Sequence, residues 1–330
     1  MEVESGTGAA MLTCPACGTV AAPGILQCAG CRRFLHADRL SELARLAEDA
    51  EREGRLGDAL ASWREALRLL PRSAPQAEQV GERIEALLAR PEARRDPSLA
   101  RSGQPGAIQG LAWVGVVAVL IAGLTKLPAL AGILGMFGVL WAVFGWKLGA
   151  GVLVSLYIHE LGHVIAMWRR GLPISAPMFV PGLGAYVRMS ERPATAVEDN
   201  RIGLAGPIAG LGIAAIAWGA GVLAGSPLLL AIAKLGALLN LFNLAPVWQL
   251  DGARGFSSLV RWQRVVVALT LLLGFAVTRE GFIAILAIVA AVVAMTGRPA
   301  RRPDPVGFAN FIAVICLLCA IVRLAKPALG

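Results

Sequence analysis

Polar and apolar positions divide this chain unevenly: up to residue 107 it is charged and polar, and from 108 to 330 it is a succession of apolar runs broken by short basic loops. The runs lie at about 108–124, 127–145, 148–168, 201–223, 227–248, 264–278, 281–296 and 306–325. A helix that crosses a bilayer needs about 20 apolar residues, with a range near 17–25. The pattern therefore predicts an all-α polytopic membrane region, in which the sixth and seventh runs are short and read together as one hairpin. Residues 38–70 show helical periodicity instead, as an amphipathic pair in which "GRLGDALASWREALRLLP" places Ala59, Trp63, Ala66 and Pro71 at spacings of four, three and five. A further helical stretch follows at 76–90, and 91–107, with Pro, Gly and Arg but no periodicity, reads as a linker. The expected organisation is a small segment at 1–37, a helical region at 38–90, the linker at 91–107 and a membrane-embedded domain at 108–330.

Composition agrees with this division. The chain has 330 residues, 56% of them hydrophobic, with 38 glycines and a mean hydropathy of +0.65, too apolar for a soluble globular protein. A net charge of +9 would suggest nucleic acid in a soluble protein. Here many arginines flank apolar runs, where they orient helices and meet anionic head groups, and no basic, aromatic-interleaved patch points to nucleic acid. The start, "MEVESGTGAAMLTCPACG", is acidic and lacks an apolar h-region, so no cleavable signal peptide is expected.

Arg169, Arg170, Arg188, Arg192 and Arg201 follow the third run, Arg254, Arg261 and Arg264 the fifth, and Arg298, Arg301 and Arg302 the seventh; the opposite side offers Arg279, Arg323 and Lys326. The positive-inside rule then places the ends of runs three, five and seven in the cytoplasm. Arg94, Arg95 and Arg101 place the N-terminal region there too, which leaves one crossing too many before Arg169. The expectation is that 127–145, with Pro128, Gly132, Gly135 and Gly138, is re-entrant.

Four of the six cysteines read Cys14-x-x-Cys17 and, ten residues later, Cys28-x-x-Cys31. Two such knuckles can close one tetrahedral thiolate site around a structural zinc, replacing the core so short a segment cannot build; the alternative is a pair of disulfides. His36, just beyond, reads as an ordinary surface histidine. With Gly54, the helical pair resembles the second half of a tetratricopeptide repeat. It offers either a docking groove for a protein partner or a plain helical hairpin packed on the knuckle.

The chemistry concentrates in "YIHELGHVIAMW", residues 157–168. Ionisable groups are expensive in hydrocarbon and mark function there. His159 and His163 are four apart, so on a helix they face one way and lie about 6 Å apart along the axis, close enough to share a metal, with Glu160 beside the first. H-E-x-x-H on a helix is the arrangement of a zinc hydrolase with the glutamate as base. Acidic residues are scarce in the apolar half, and Asp251, in "NLFNLAPVWQLDGARG" at the basic end of the fifth run, is the candidate third ligand. Two nitrogens, one oxygen and a water would make an open, catalytic zinc site.

These residues resemble the site-2 protease family of intramembrane zinc metalloproteases, through "HELGH" at 159–163, "GLAGPIAG" at 203–210 and "NLAPVWQLDG" at 243–252. Of the family's Asn-Pro-x-Pro, four residues, Asp-Gly motif, Asn243, Pro246, Asp251 and Gly252 stand in place, and Leu244 replaces the first proline. The resemblance covers about 126–256, includes "FVPGLGAYVRM" at 179–189 as a membrane-associated hairpin, and shows no PDZ domain. It implies cleavage of peptide bonds within or beside transmembrane segments of membrane-protein substrates, facing the cytoplasm. Glu160 would be the general base on a water at the zinc, and Asn243 would orient substrate or stabilise the oxyanion. An extended substrate could pair with 174–189 by strand addition.

The competing function is a non-catalytic zinc-binding membrane adaptor that recruits partners through the N-terminal region; the intact Glu160 argues against it. A metal transporter would need ligands along a path across several helices, which the sequence lacks. Gly206 and Gly210 read as packing against the catalytic helix, Cys316 and Cys319 as small apolar residues, and Lys234 as snorkelling. Trp113, Trp141, Trp146 and Trp168 read as belonging in part to an interfacial belt.

Overall fold

The computed structural model describes residues 12–22, 25–71, 74–90, 127–170, 172, 177–181, 184–186, 193, 195–248 and 250–325. The expected linker, the first apolar run, Trp113 and the distal part of the expected hairpin lie outside these. The chain divides into two compact units, residues 1–102 and 103–330.

In the first unit, strands β1 (Leu12–Thr13) and β2 (Val20–Ala21) pair antiparallel. Three helices follow: α1 (Ala37–Arg52), α2 (Leu56–Arg68) and α3 (Pro75–Ala89). Gly54, at φ +74, makes the left-handed turn between α1 and α2 that a side chain would resist. The spacing noted in the sequence does place Ala59, Trp63 and Ala66 on the buried face, with Leu43 and Ala47 of α1 and Ile84 and Leu87 of α3 also buried. Small alanines on the buried faces suit close helix approach. Trp63 is anchored at its polar end, its Nε1 donating to Glu51 at 2.8 Å, while Arg83 lies 5.6 Å over its ring.

The second unit is helical: α4 (Leu127–Phe144), α5 (Trp146–Trp168), α6 (Ala196–Ala224), α7 (Pro227–Asn243), α8 (Asp251–Ser257), α9 (Arg261–Thr278), α10 (Gly281–Thr296) and α11 (Pro305–Leu324). Its sheet, among the described residues, is the hairpin β3 (Met178–Val180) with β4 (Gly184–Tyr186), registered Phe179 to Ala185. Helices α5, α6, α9 and α11 are long and apolar enough to cross a membrane. The outer surface is apolar, with Leu223 91%, Ile216 66% and Ile288 64% exposed, the reverse of a soluble protein and suited to lipid. Inside, Leu204, Ala233, Ala237, Leu241, Val267, Leu271, Ile283, Ala290, Phe311 and Leu318 form one core across α6, α7, α9, α10 and α11.

Helix α6 begins five residues before its apolar run, because Thr195 caps it, its hydroxyl accepting from Glu198 N at 3.0 Å. Its 29 residues span about 43 Å against a hydrocarbon core of about 30 Å, which accommodates the polar first turns outside the core. Gly225, left-handed, ends it, and Ser226 caps α7 at once, with Pro227 following. The paired sixth and seventh runs are α9 and α10, joined through Arg279 and Glu280.

Run 127–145 forms one continuous helix, unbroken at its glycines. Two of those glycines instead seat the hairpin: a Cβ at Gly132 would strike the Phe179 carbonyl, and one at Gly135 would lie 2.7 Å from Pro181 Cγ.

Candidate active site

Helix α5 brings His159, Glu160 and His163 into the protein at 2%, 3% and 5% exposure. It can do so because Gly162 lets α6 approach: a Cβ there would meet the Ala209 side chain at 2.8 Å and the Ala205 carbonyl nearer still. The third donor comes from α8. Helix α7 ends at Asn243, five residues before its apolar run does, and the chain turns through Leu244, Ala245 and Pro246, all buried. Leu244 sits at φ −79, ψ 0 and donates its N–H to Asn240 O and Leu241 O at 3.2 Å, so the bend forms without the family's first proline. Trp248 turns in the left-handed region at φ 53. Gly252 is required because a Cβ would collide with the Leu244 carbonyl.

Asp251 thereby opens α8 facing both imidazoles, with Oδ2 3.0 Å from His159 Nε2 and Oδ1 3.2 Å from His163 Nε2. The two Nε2 atoms are 3.3 Å apart. A tetrahedral zinc with bonds of about 2.0–2.1 Å holds its donor atoms about 3.3 Å from one another, so the donor set has the size of such an ion.

The hydrogen bonds behind the imidazoles fix their tautomers. His163 Nδ1 donates to Ile202 O at 2.8 Å. His159 Nδ1 donates to Asn240 Oδ1 at 2.8 Å, and Asn240 is held in that sense because its Nδ2 donates to Gly236 O at 2.7 Å. Both Nε2 atoms are then left with lone pairs that point at one another and at a carboxylate. Three such groups repel unless a cation lies between them, and the residues present fit zinc.

Glu160 is buried next to this centre, and among the described residues no hydrogen bond or ion pair holds its carboxylate. Asn243, half-buried, brings Nδ2 to 3.3 Å from His159 Nε2. The structure thus gathers all five membrane residues singled out from the sequence. The sequence reading missed Asn240, although an asparagine in an apolar helix is itself a signal. It read both Gly206 and Gly210 as packing against α5, which holds for Gly206 alone. Gly206 faces the two imidazoles, where a Cβ would lie 2.7 Å from His159 Nε2, and Gly210 faces Asn240 on α7 rather than α5.

In the first unit, Cys14, Cys17, Cys28 and Cys31 converge, with Cys14 Sγ 3.6 Å from Cys31 Sγ and Cys17 Sγ 3.5 Å from Cys28 Sγ. All are free thiols, and these separations suit four sulfurs around one ion at about 2.3 Å better than disulfides. The two halves are built alike. Gly18 N donates to Cys14 O and Arg32 N to Cys28 O, each at 2.9 Å, while Cys14 N and Cys28 N bond Thr19 O and Arg33 O. Gly18 and Arg32 both have positive φ, 73° and 59°. The Thr19 hydroxyl and then its backbone hold the Cys17 thiol down at about 6, so it is a ready thiolate. His36 stands apart from the cluster at the start of α1.

Comparison with the curated proteins and with the solved structures finds no match. Asp251 lies beyond the residues the family model covers, so its place in the centre rests on geometry. Residues 148–234, which carry both histidines, Glu160 and Gly206, match the model of Peptidase family M50, the site-2 protease family, and this supports a membrane metalloprotease.

Proposed function

We propose that this chain is an intramembrane zinc metalloendopeptidase that hydrolyses peptide bonds in or near transmembrane segments of membrane-protein substrates. The observation that carries the reading is the convergence of His159, His163 and Asp251 donor atoms, with tautomers fixed from behind, beside a buried Glu160 that no hydrogen bond or ion pair holds among the described residues. These three residues would hold the catalytic zinc, and the four cysteines a structural one. When bound, the catalytic ion supplies Lewis acidity to the scissile carbonyl and to the attacking water.

The protein's own groups do the rest. Glu160 takes the proton from the attacking water on its carboxylate and delivers it to the nitrogen of the leaving amine, so the base of the first step is the acid of the second. Asn243 Nδ2 is the donor placed to meet the oxyanion. Asn240 and the Ile202 carbonyl keep both imidazoles in the orientation that presents Nε2. The surrounding helices exclude bulk water, and the substrate helix must unwind to reach the site, with the β3–β4 edge offered for strand addition. By the positive-inside rule the site and the N-terminal unit face the cytoplasm.

The test is zinc content measured together with cleavage of a model membrane substrate, in the full chain and in His159→Ala, Asp251→Ala and Glu160→Gln. The reading expects about one zinc lost in each ligand variant, and zinc kept without turnover in Glu160→Gln. Zinc unaffected by Asp251→Ala would remove that residue from the centre. Turnover retained by Glu160→Gln would sink the mechanism.

A further inference from the structure

Helix α8 has seven residues, and isolated helices shorter than about 12–15 residues are marginal in water. The direction in which it presents Asp251 is therefore set by what grips its other end. From α6, Asn200 Nδ2 donates to Gly255 O at 2.7 Å and to Ser258 Oγ at 2.8 Å, and Arg254 Nε donates to Asp199 at 2.8 Å. From α9, the buried Arg264 donates to Phe256 O at 2.8 Å and Leu259 O at 3.0 Å, collecting carbonyls at the helix end. From α11 comes a buried carboxylate, Asp304, only 5% exposed. It accepts from Ser258 Oγ at 3.0 Å, from Arg201 at 2.9 and 3.2 Å, and from Gly307 N at 2.8 Å as the cap of α11.

The network has one polarity. The Ser258 hydroxyl accepts from Asn200, so its single proton goes to Asp304, and Asp304 thereby ties the starts of α6 and α11 to the end of α8. Beneath it, the Phe311 ring of α11 packs so closely on Gly255 that a Cβ there would strike it, and it meets the Phe256 ring at 5.6 Å. All these partners from α9 and α11 follow the residues that match the family model.

We infer that Asp304 is a positioning residue of the metal centre: through Ser258 it fixes the rotation of α8 and with it the place of the Asp251 carboxylate. The inference rests on the zinc reading above. It makes α11, one of the helices long and apolar enough to cross a membrane, a working part of the site as well.

The experiment is zinc affinity by competition with a chelator on the full chain, counted as the difference from His159→Ala, which keeps the share of the cysteine cluster. Loss of a partner behind a metal ligand costs about 10–100-fold in affinity; Asp304→Ala is expected in that range and Ser258→Ala at its lower end. The control is Thr278→Val at the far end of α9, which removes a buried hydroxyl bonded to Gly274 O at 2.8 Å and is expected to leave the affinity unchanged. If Asp304→Ala fails to fold, Ser258→Ala decides. Wild-type affinity in Ser258→Ala, or equal weakening by Thr278→Val, overturns the inference and leaves the protease reading standing. Zinc content unchanged by His159→Ala overturns both.

Discussion

Gly206→Ala adds one methyl group at the point where α6 faces the candidate metal centre. That Cβ would stand 2.7 Å from His159 Nε2 and nearer still to His163 Nε2 and Cε1, whereas real Cβ contacts essentially never fall under 3.0 Å. The atoms it meets are ring atoms locked from behind by Asn240 and Ile202, so no flexible side chain can swing aside. Either α6 retreats by several tenths of an ångström or the imidazoles turn away from Asp251. Misplacement of a site by about 1 Å costs about 100-fold, or about 2.7 kcal/mol, and overpacking adds about 1–3 kcal/mol of lost stability. The assay is zinc occupancy and substrate cleavage, with Gly212→Ala as the internal control. A Cβ at Gly212 meets nothing within 4 Å, and alanine gains up to about 1 kcal/mol of helix propensity, so that variant is expected to bind and cut as the wild type does. Wild-type zinc affinity in Gly206→Ala would refute the claim that the imidazoles abut this glycine.

Three other outcomes follow from the same reasoning. Asn240→Ala removes the acceptor behind His159 and should lower zinc affinity about 10–100-fold in the chelator assay; an unchanged affinity would mean the His159 orientation is set elsewhere. Arg32→Gly relieves a left-handed backbone at φ 59 that costs a side-chain-bearing residue about 1–2 kcal/mol, so the cysteine cluster should release zinc more slowly to a chelator, and faster release would contradict the strain. Because hydrogen bonds from Thr19 hold Cys17 at about 6, the metal-free thiol is mainly thiolate at pH 7 and loses reactivity as pH falls through that value. Thr19→Val should move the alkylation midpoint upward, and no movement would assign the lowered value to another cause.

What the sequence revealed of the site was decided by rarity. Two histidines four apart and an isolated aspartate stand out in an apolar background because each is costly there, and the structure brings their donor atoms within 4.8 Å of one another. Hydropathy was less reliable at helix ends. It carried the fifth run to 248 because Leu244, Ala245 and Val247 are apolar, yet they lie in the turn after α7. It also began α6 late, passing over Thr195 and Glu198, whose cap starts the helix while Glu198 and Asn200 are buried. The glycines of α4 entered the expectation of a re-entrant run, and the helix uses two of them to seat the hairpin.

The groups that orient the two imidazoles were illegible for a physical reason. His163 is held by a backbone carbonyl, which every residue has, and Asn240 fits only because Gly210 leaves room for its amide. Neither a carbonyl nor an absent side chain announces its partner in one dimension. The same holds for Asp304, which caps the start of α11, since Gly307 N donates to it. Its other bonds, to Arg201 and Ser258, join positions 103 and 46 residues away. A cap needs only one of the two carboxylate oxygens, and burying the second is costly unless it too is paired. That second oxygen takes up Ser258 and one arm of Arg201, which is why the cap that starts α11 also holds the helix that carries Asp251.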